Sequence, residues 1–182
     1  RPDFNIEAAS PPPARMGVRA AGKARSRQNL LNAAKRLFME RGYDGATVRD
    51  IAAAAGLSTG AVFASFSDKA DLFNEVLLTD IAVQTEAMRK AVEAPGPVDE
   101  RLQLLLMAGY RHQLGQVELL RAALAVSWSQ GLKGELGDRP IRRAVMEQIR
   151  LVLDQGVASG ELSQRADLDL IAETLWDCYL RN

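Results

Sequence analysis

One cysteine, Cys178, and one histidine, His112, stand among 182 residues. A lone thiol forms no internal disulfide, and a single Cys with a single His gives no metal-ligand spacing, so no metal site is expected. A nucleophile with its base, a pair of carboxylates in distinct environments and a glycine-rich phosphate loop after a strand are all missing, so neither an enzyme nor a cofactor is expected. No apolar run approaches the roughly 20 residues of a membrane span, and no charged leader precedes an apolar segment. Such a chain is expected in a reducing cytoplasm, without membrane partners. Strand-like alternation and internal repeats are likewise missing, which leaves an all-α fold. With 47% apolar and 25% charged residues, the composition is that of an ordinary globular protein.

The chain also has no net charge, but its charge is unevenly placed. Residues 1–73 hold 11 Lys+Arg against 7 Asp+Glu, a balance of +4, and residues 74–182 hold 12 against 16, a balance of −4. Between residues 14 and 36 lie Arg15, Arg19, Lys23, Arg25, Arg27, Lys35 and Arg36 with no acid. A basic run of this kind suits a polyanion, or is a solvated tail. Residues 1–25 contain Pro11-Pro12-Pro13 and no helical periodicity before the basic run, so they are expected to form an extended, flexible basic arm. Met16 is a candidate translational start.

The positive pattern is concentrated in Thr47–Phe66, TVRDIAAAAGLSTGAVFASF. Thr47 is placed to cap a helix on which Val48, Ile51, Ala52 and Ala55 repeat at helical spacing. Gly56 permits a sharp turn, Leu57 fills its corner, and Ser58 caps a second short helix. Helix, tight turn and helix is the DNA-reading unit of a helix-turn-helix protein. Before it, Leu30, Ala34, Leu37, Phe38 and Arg41 define an amphipathic helix over about Arg27 to Arg41 that Gly42 ends. Residues 26–68 thus read as a three-helix DNA-binding domain.

DNA affinity comes mainly from phosphates and specificity from base edges. Thr47 and Lys69, each at a helix start, suit phosphate, and Arg49 suits phosphate or a base. Ser58, Thr59, Gly60 and Ala61 lie at the front of the reading helix.

Residues 28–73 resemble the N-terminal domain of the TetR family of bacterial transcriptional regulators. The resemblance rests on Arg41-Gly42-Tyr43, Thr47, Ala55-Gly56-Leu57-Ser58, Phe66 and Lys69 standing in register. It implies DNA contacts from Thr47, Arg49, Thr59, Gly60, Ala61, Phe63, Ala64, Ser65 and Lys69. Three of these depart from the family's habit: Phe63 often is Tyr there, and Ala64 and Ser65 often are larger. Phe63 and Ala64 offer only stacking or thymine-methyl contacts, so few bidentate base contacts are expected, with more reliance on phosphates, shape and the arm.

Residues 69–182 read as a larger helical domain for ligand binding and dimerisation. Asp68 is placed to cap a helix running to about Glu93, which Pro95-Gly96-Pro97 stops. The following helix, with Leu102, Leu104, Leu105, Leu106 and Met107, looks apolar nearly all round and therefore central. Helices over 116–130, 140–158 and 167–182 follow, and the last meets Asn182 without a cap, as if the helix continued.

Short reading helices work in pairs about 34–36 Å apart, so a homodimer on a palindromic double-stranded DNA operator is expected. The last two helices are the expected dimerising pair, burying Ile149, Val152, Leu175, Trp176 and Tyr179 in a four-helix bundle, or else facing only their own chain. The resemblance implies an effector pocket within residues 77–155. Met107, Tyr110, His112, Trp128 and Met146 are its candidate lining, suited to an apolar or aromatic small molecule, or are plain core. The resemblance implies a sequence-specific, ligand-released repressor. A helical ligand carrier or scaffold with a vestigial helix-turn-helix is the alternative.

Overall fold

A computed structural model describes residues 14–129 and 140–181. Among these described residues, eight helices follow in order: α1 (Ala14–Gly45), α2 (Val48–Ala54), α3 (Thr59–Phe63), α4 (Lys69–Val92), α5 (Val98–Leu114), α6 (Val117–Ser129), α7 (Pro140–Ser159) and α8 (Leu168–Arg181). Among the described residues there is no strand.

Local chemistry sets most of these boundaries. The Thr47 hydroxyl accepts from the Asp50 amide at 3.1 Å and starts α2, and the Ser58 hydroxyl accepts from the Ala61 amide at 3.1 Å and starts α3. Asp68 accepts from the Asp71 amide at 2.8 Å, while Asp71 accepts from the Ser67 amide at 2.9 Å, and the two bonds together fix the head of α4. Between α2 and α3, Gly56 has φ +69°, and the Leu57 amide bonds back to the Ala52 carbonyl at 2.9 Å. A left-handed residue followed by a bond spanning five residues is a Schellman stop, and only glycine enters it without strain.

Helix α1 differs from expectation at its start. Residues 14–25, expected to be extended, are helical, and residues 21–29 are exposed throughout. Alanine, arginine and lysine are strong helix formers, so this stretch continues a helix without any apolar stripe to announce it. Gly42, with φ 71° and ψ 176°, breaks the helix where the sequence placed its end.

Two apolar cores result. The first gathers Leu30, Ala34, Leu37 and Phe38 of α1 with Ile51, Val62 and Phe66, and continues into Leu72, Phe73 and Val76 of α4 and Leu119, Ala122 and Val126 of α6. The second gathers Met88, Val98, Leu105, Val145, Ile149, Val152, Leu153, Trp176 and Tyr179. Helix α5 is not apolar-packed on all sides as its composition suggested: Leu105 is fully buried, but Leu104 and Met107 are exposed and Leu114 is 76% exposed. A helix between two others has only part of its circumference to bury, and the surplus leucines face outward.

Of the two readings of the α7 and α8 stripes, the single chain accounts for their burial without a partner. Ile149, Val152, Trp176 and Tyr179 are buried within their own chain, and Leu175 packs half-buried against the same core. The strongest apolar stripe of each helix is spent on its own subunit. What α7 and α8 leave to solvent includes Leu151 and Leu170, 41% and 64% exposed.

Candidate nucleic-acid interface and effector cavity

The reading head presents α3 outward. Ile51, Ala52, Val62 and Phe66 hold α2 and α3 against α1, so the opposite side of the motif is left to solvent. On that side Thr47, Arg49, Ser58, Gly60, Ala61, Ala64 and Ser65 are exposed, and Phe63 is 50% exposed. A large aromatic held half in water on a helix of small residues has no role in the core of its own chain.

The hydroxyls of Thr47 and Ser58 are each used as acceptors by their caps, which leaves each O–H proton as a donor for a phosphate oxygen or base edge. Arg41 pairs with Asp50 at 3.2 Å, and Arg49 has no partner among the described residues. Thr59 and Lys69 are half-buried. The Lys69 ammonium donates to the Tyr43 carbonyl at 2.9 Å and lies 4.3 Å from the centre of the Tyr43 ring. One of its three donors is thereby committed and two remain. Burial, with the carboxylates of Asp68 and Asp44 behind it, raises the Tyr43 phenol above its ordinary pKa and keeps it neutral. Arg27 fixes the far side of the head, pairing with Glu75 at 2.8 Å and lying 4.8 Å from the centre of the Phe66 ring.

Behind the head a cavity of about 510 Å³ opens between α4 and α6, reached also by the end of α5 and the start of α7. Its apolar wall includes Phe73, Leu77, Ile81, Leu119 and Val126, and its polar groups are Asn74, Asp80, Gln84, Gln113 and Gln116. Asp80 accepts from Lys35 of α1 at 2.7 Å and stands 3.0 Å from Nε2 of His112 on α5. Gln84 donates to the Tyr179 hydroxyl at 2.7 Å. Burial raises the Tyr179 phenol, and the neighbouring Tyr110 adds to the effect.

Residues 30–76 match the family model described as bacterial regulatory proteins, tetR family. The HTH-type transcriptional repressor AcnR of Corynebacterium glutamicum is 45% identical over 177 residues, covering 91% of this chain and 86% of that protein. The HTH-type transcriptional repressor KstR2 of Mycobacterium tuberculosis is 32% identical over 166 residues, covering 87% and 82%. Among solved structures, the TetR-family regulator PfmR of Thermus thermophilus aligns with a TM-score of 0.56 at 28% identity, covering 80% of this chain and 79% of that one. The chain belongs to the TetR family. It is a DNA-binding transcriptional repressor of the helix-turn-helix type and not an enzyme, and the vestigial-motif alternative is disfavoured. No helix among the described residues is long and apolar enough to cross a membrane.

For a TetR-family head, the motif brings the ten DNA-contact candidates to one end of the molecule. The effector candidates are not brought together in the same way. Met107 is exposed on α5, the Tyr110 hydroxyl donates to the Tyr179 carbonyl at 3.0 Å, and Met146 packs into the second core. His112 reaches only Asp80, and the side chain of Trp128 lies outside the described residues. None of Met107, Tyr110, His112 and Met146 is among the described residues that line the cavity. Aromatic and sulfur-containing residues suit ligands, but Tyr110, His112 and Met146 find partners within the fold and Met107 faces solvent. A better signal lay on α4, where Phe73, Leu77, Ile81 and Gln84 share a face with Asp80. A carboxylate and an amide inside an apolar helical stripe mark a wall that is neither core nor surface.

Proposed function

We propose that this TetR-family repressor binds a roughly palindromic operator as a homodimer and leaves it when an apolar or aromatic small molecule fills the cavity between α4 and α6. The observation that carries the DNA half is the outward-facing α3, with Phe63 half exposed between small residues. Its contacts divide by chemistry. Thr47, Arg49 and Lys69 address phosphates, Phe63 and Ala64 touch sugar or a thymine methyl, and Thr59 and Ser65 hydrogen-bond base edges. Supporting the effector half, Phe73, Leu119 and Val126 belong both to the cavity wall and to the core of the reading head. The cavity falls within the usual range of roughly 300–1,000 Å³ for small-molecule sites. Dimerisation is assigned to the outer faces of α7 and α8 around Leu151 and Leu170. Acting on bacterial DNA places the protein in the cytoplasm.

Site selection from random duplexes tests the reading. A recovered motif with two inverted halves spaced about one helical turn is expected. Equal affinity for the recovered site and random DNA across a salt series would defeat specific recognition, and a monomer at micromolar concentration by analytical ultracentrifugation would defeat the dimer. Thr59→Ala and Ser65→Ala are expected to shift preference between sites without changing the salt slope.

A further inference from the structure

We propose that the cavity selects uncharged ligands and that Asp80, paired to Lys35, is the residue that sets this selection; the proposal rests on reading the cavity as the effector site. Among the described residues of its wall, Asp80 is the only ionisable one, and there is no lysine, arginine or histidine. A carboxylate entering from water would lose its hydration, meet no cation among the described wall residues and stand beside a second carboxylate. An ammonium fares little better. The Asp80 Oδ1 is taken by the Lys35 ammonium at 2.7 Å and its Oδ2 by Nε2 of His112 at 3.0 Å. The side chains of Asp80 and His112 are each only 12% exposed, so this cluster sits inside the protein and not in bulk solvent. Lys35 reaches Asp80 from α1 without itself lining the cavity, so it neutralises the wall from behind.

What remains to greet a ligand is apolar surface and amides. Gln84 is held by the Tyr179 hydroxyl, to which its Nε2 donates, while the Oε1 of Gln116, another wall residue, is buried with no hydrogen-bond partner among the described residues. An acceptor oxygen left unmet beside a cavity favours a ligand that donates, an alcohol or an N–H amide, over bare hydrocarbon, because an unmet polar group there is costly. The chemical class is therefore an apolar body with one neutral hydrogen-bonding group.

Three probes of equal chain length, 1-decanol, decanoate and decylamine, titrated calorimetrically into the full chain, test this. The alcohol is expected to bind at least about tenfold more tightly than either ion, the scale of one unfavourable buried charge. Asp80→Asn removes the wall's carboxylate and leaves the Lys35 ammonium without its partner, so decanoate should gain about tenfold while decanol moves less than about threefold. Lys35→Met is the reciprocal variant: it vacates the ammonium's place against Asp80, and decylamine should gain by a similar factor. Decanoate binding the native chain as well as decanol would overturn the class, and unchanged ion affinities in both variants would overturn the role of Asp80. Failure on the effector-site reading itself looks different. It would show as no binding of any probe, or as decanol binding that survives Ala123→Phe, which fills the cavity.

Discussion

Lys69→Met separates two jobs that the ammonium performs at the head of α4. Within the protein, the substitution removes a hydrogen bond to the Tyr43 carbonyl and a cation–ring contact at 4.3 Å while keeping the aliphatic stem. Those losses are about 1 kcal/mol for the bond and about 0.5–1 kcal/mol for the ring contact, so the domain loses about 1–2 kcal/mol and stays folded. On DNA, the two free donors of each Lys69 are assigned a phosphate. One phosphate contact contributes about 0.9 to the slope of log affinity against log salt, so a dimer lacking both lysines has a slope shallower by about 1.8. Over a fourfold change from about 50 to 200 mM salt, that is a factor of about 3.5 per contact and about 12 for the pair. Fluorescence anisotropy with any duplex measures it, since phosphates are common to all sequences. The native protein and the variant are expected to differ most at low salt and to converge as salt rises. If the variant binds more weakly by the same factor at every salt concentration, Lys69 acts only as a clamp on Tyr43 and the phosphate assignment falls.

Gly109→Ala places a Cβ 2.6 Å from the Tyr179 hydroxyl and 3.1 Å from its ring carbons, forcing α5 away from α8. A loss of about 1–3 kcal/mol in urea unfolding is expected, and no loss would mean that the two helices are not packed this closely. Tyr179→Phe strips Gln84 of its partner and should cost about 1–3 kcal/mol near neutral pH. Its second effect is alkaline. Burial raises the Tyr179 phenol above its ordinary value of 10.0, so the native state holds that proton more tightly than the unfolded chain does. This contribution is fully present below pH 10 and is lost as pH climbs above it, so the native protein should lose stability there more steeply than the Phe variant. Parallel profiles between pH 9 and 12 by denaturant titration would refute the burial.

What could be read from the sequence was local. The caps at Thr47, Ser58 and Asp68 each bond three residues ahead, and the stop at Gly56 closes over five, so the chemistry lies within one short window. The same locality explains the error at the start of α1, where helix propensity acts without an apolar face to reveal it. Periodicity on α7 and α8 correctly marked Ile149, Val152, Trp176 and Tyr179 as buried, but a stripe says that a face is covered and not what covers it. The cavity was the least legible feature. Lys35 and Asp80 are 45 residues apart and His112 is 32 beyond Asp80, and nothing in their neighbours announces the meeting.

Release of DNA by a ligand requires the cavity and the reading head to be mechanically continuous, and their residues meet this requirement in two places. Phe73 lines the cavity, and its ring stands edge-on to Phe38 at 4.8 Å and to Tyr43 at 5.1 Å. Tyr43 in turn carries the Lys69 ammonium on its face and carbonyl. From the cavity wall to a proposed phosphate contact there are thus two aromatic rings and no loop. Asp80 makes the second link, joining the wall to Lys35 on α1 through an ion pair at 2.7 Å. Close-packed interiors transmit a displacement because no void absorbs it. On the proposed reading, an occupant that pushes Phe73 or turns Asp80 is expected to displace α1 and the head of α4 together, and with them the spacing of the two reading helices of the proposed dimer.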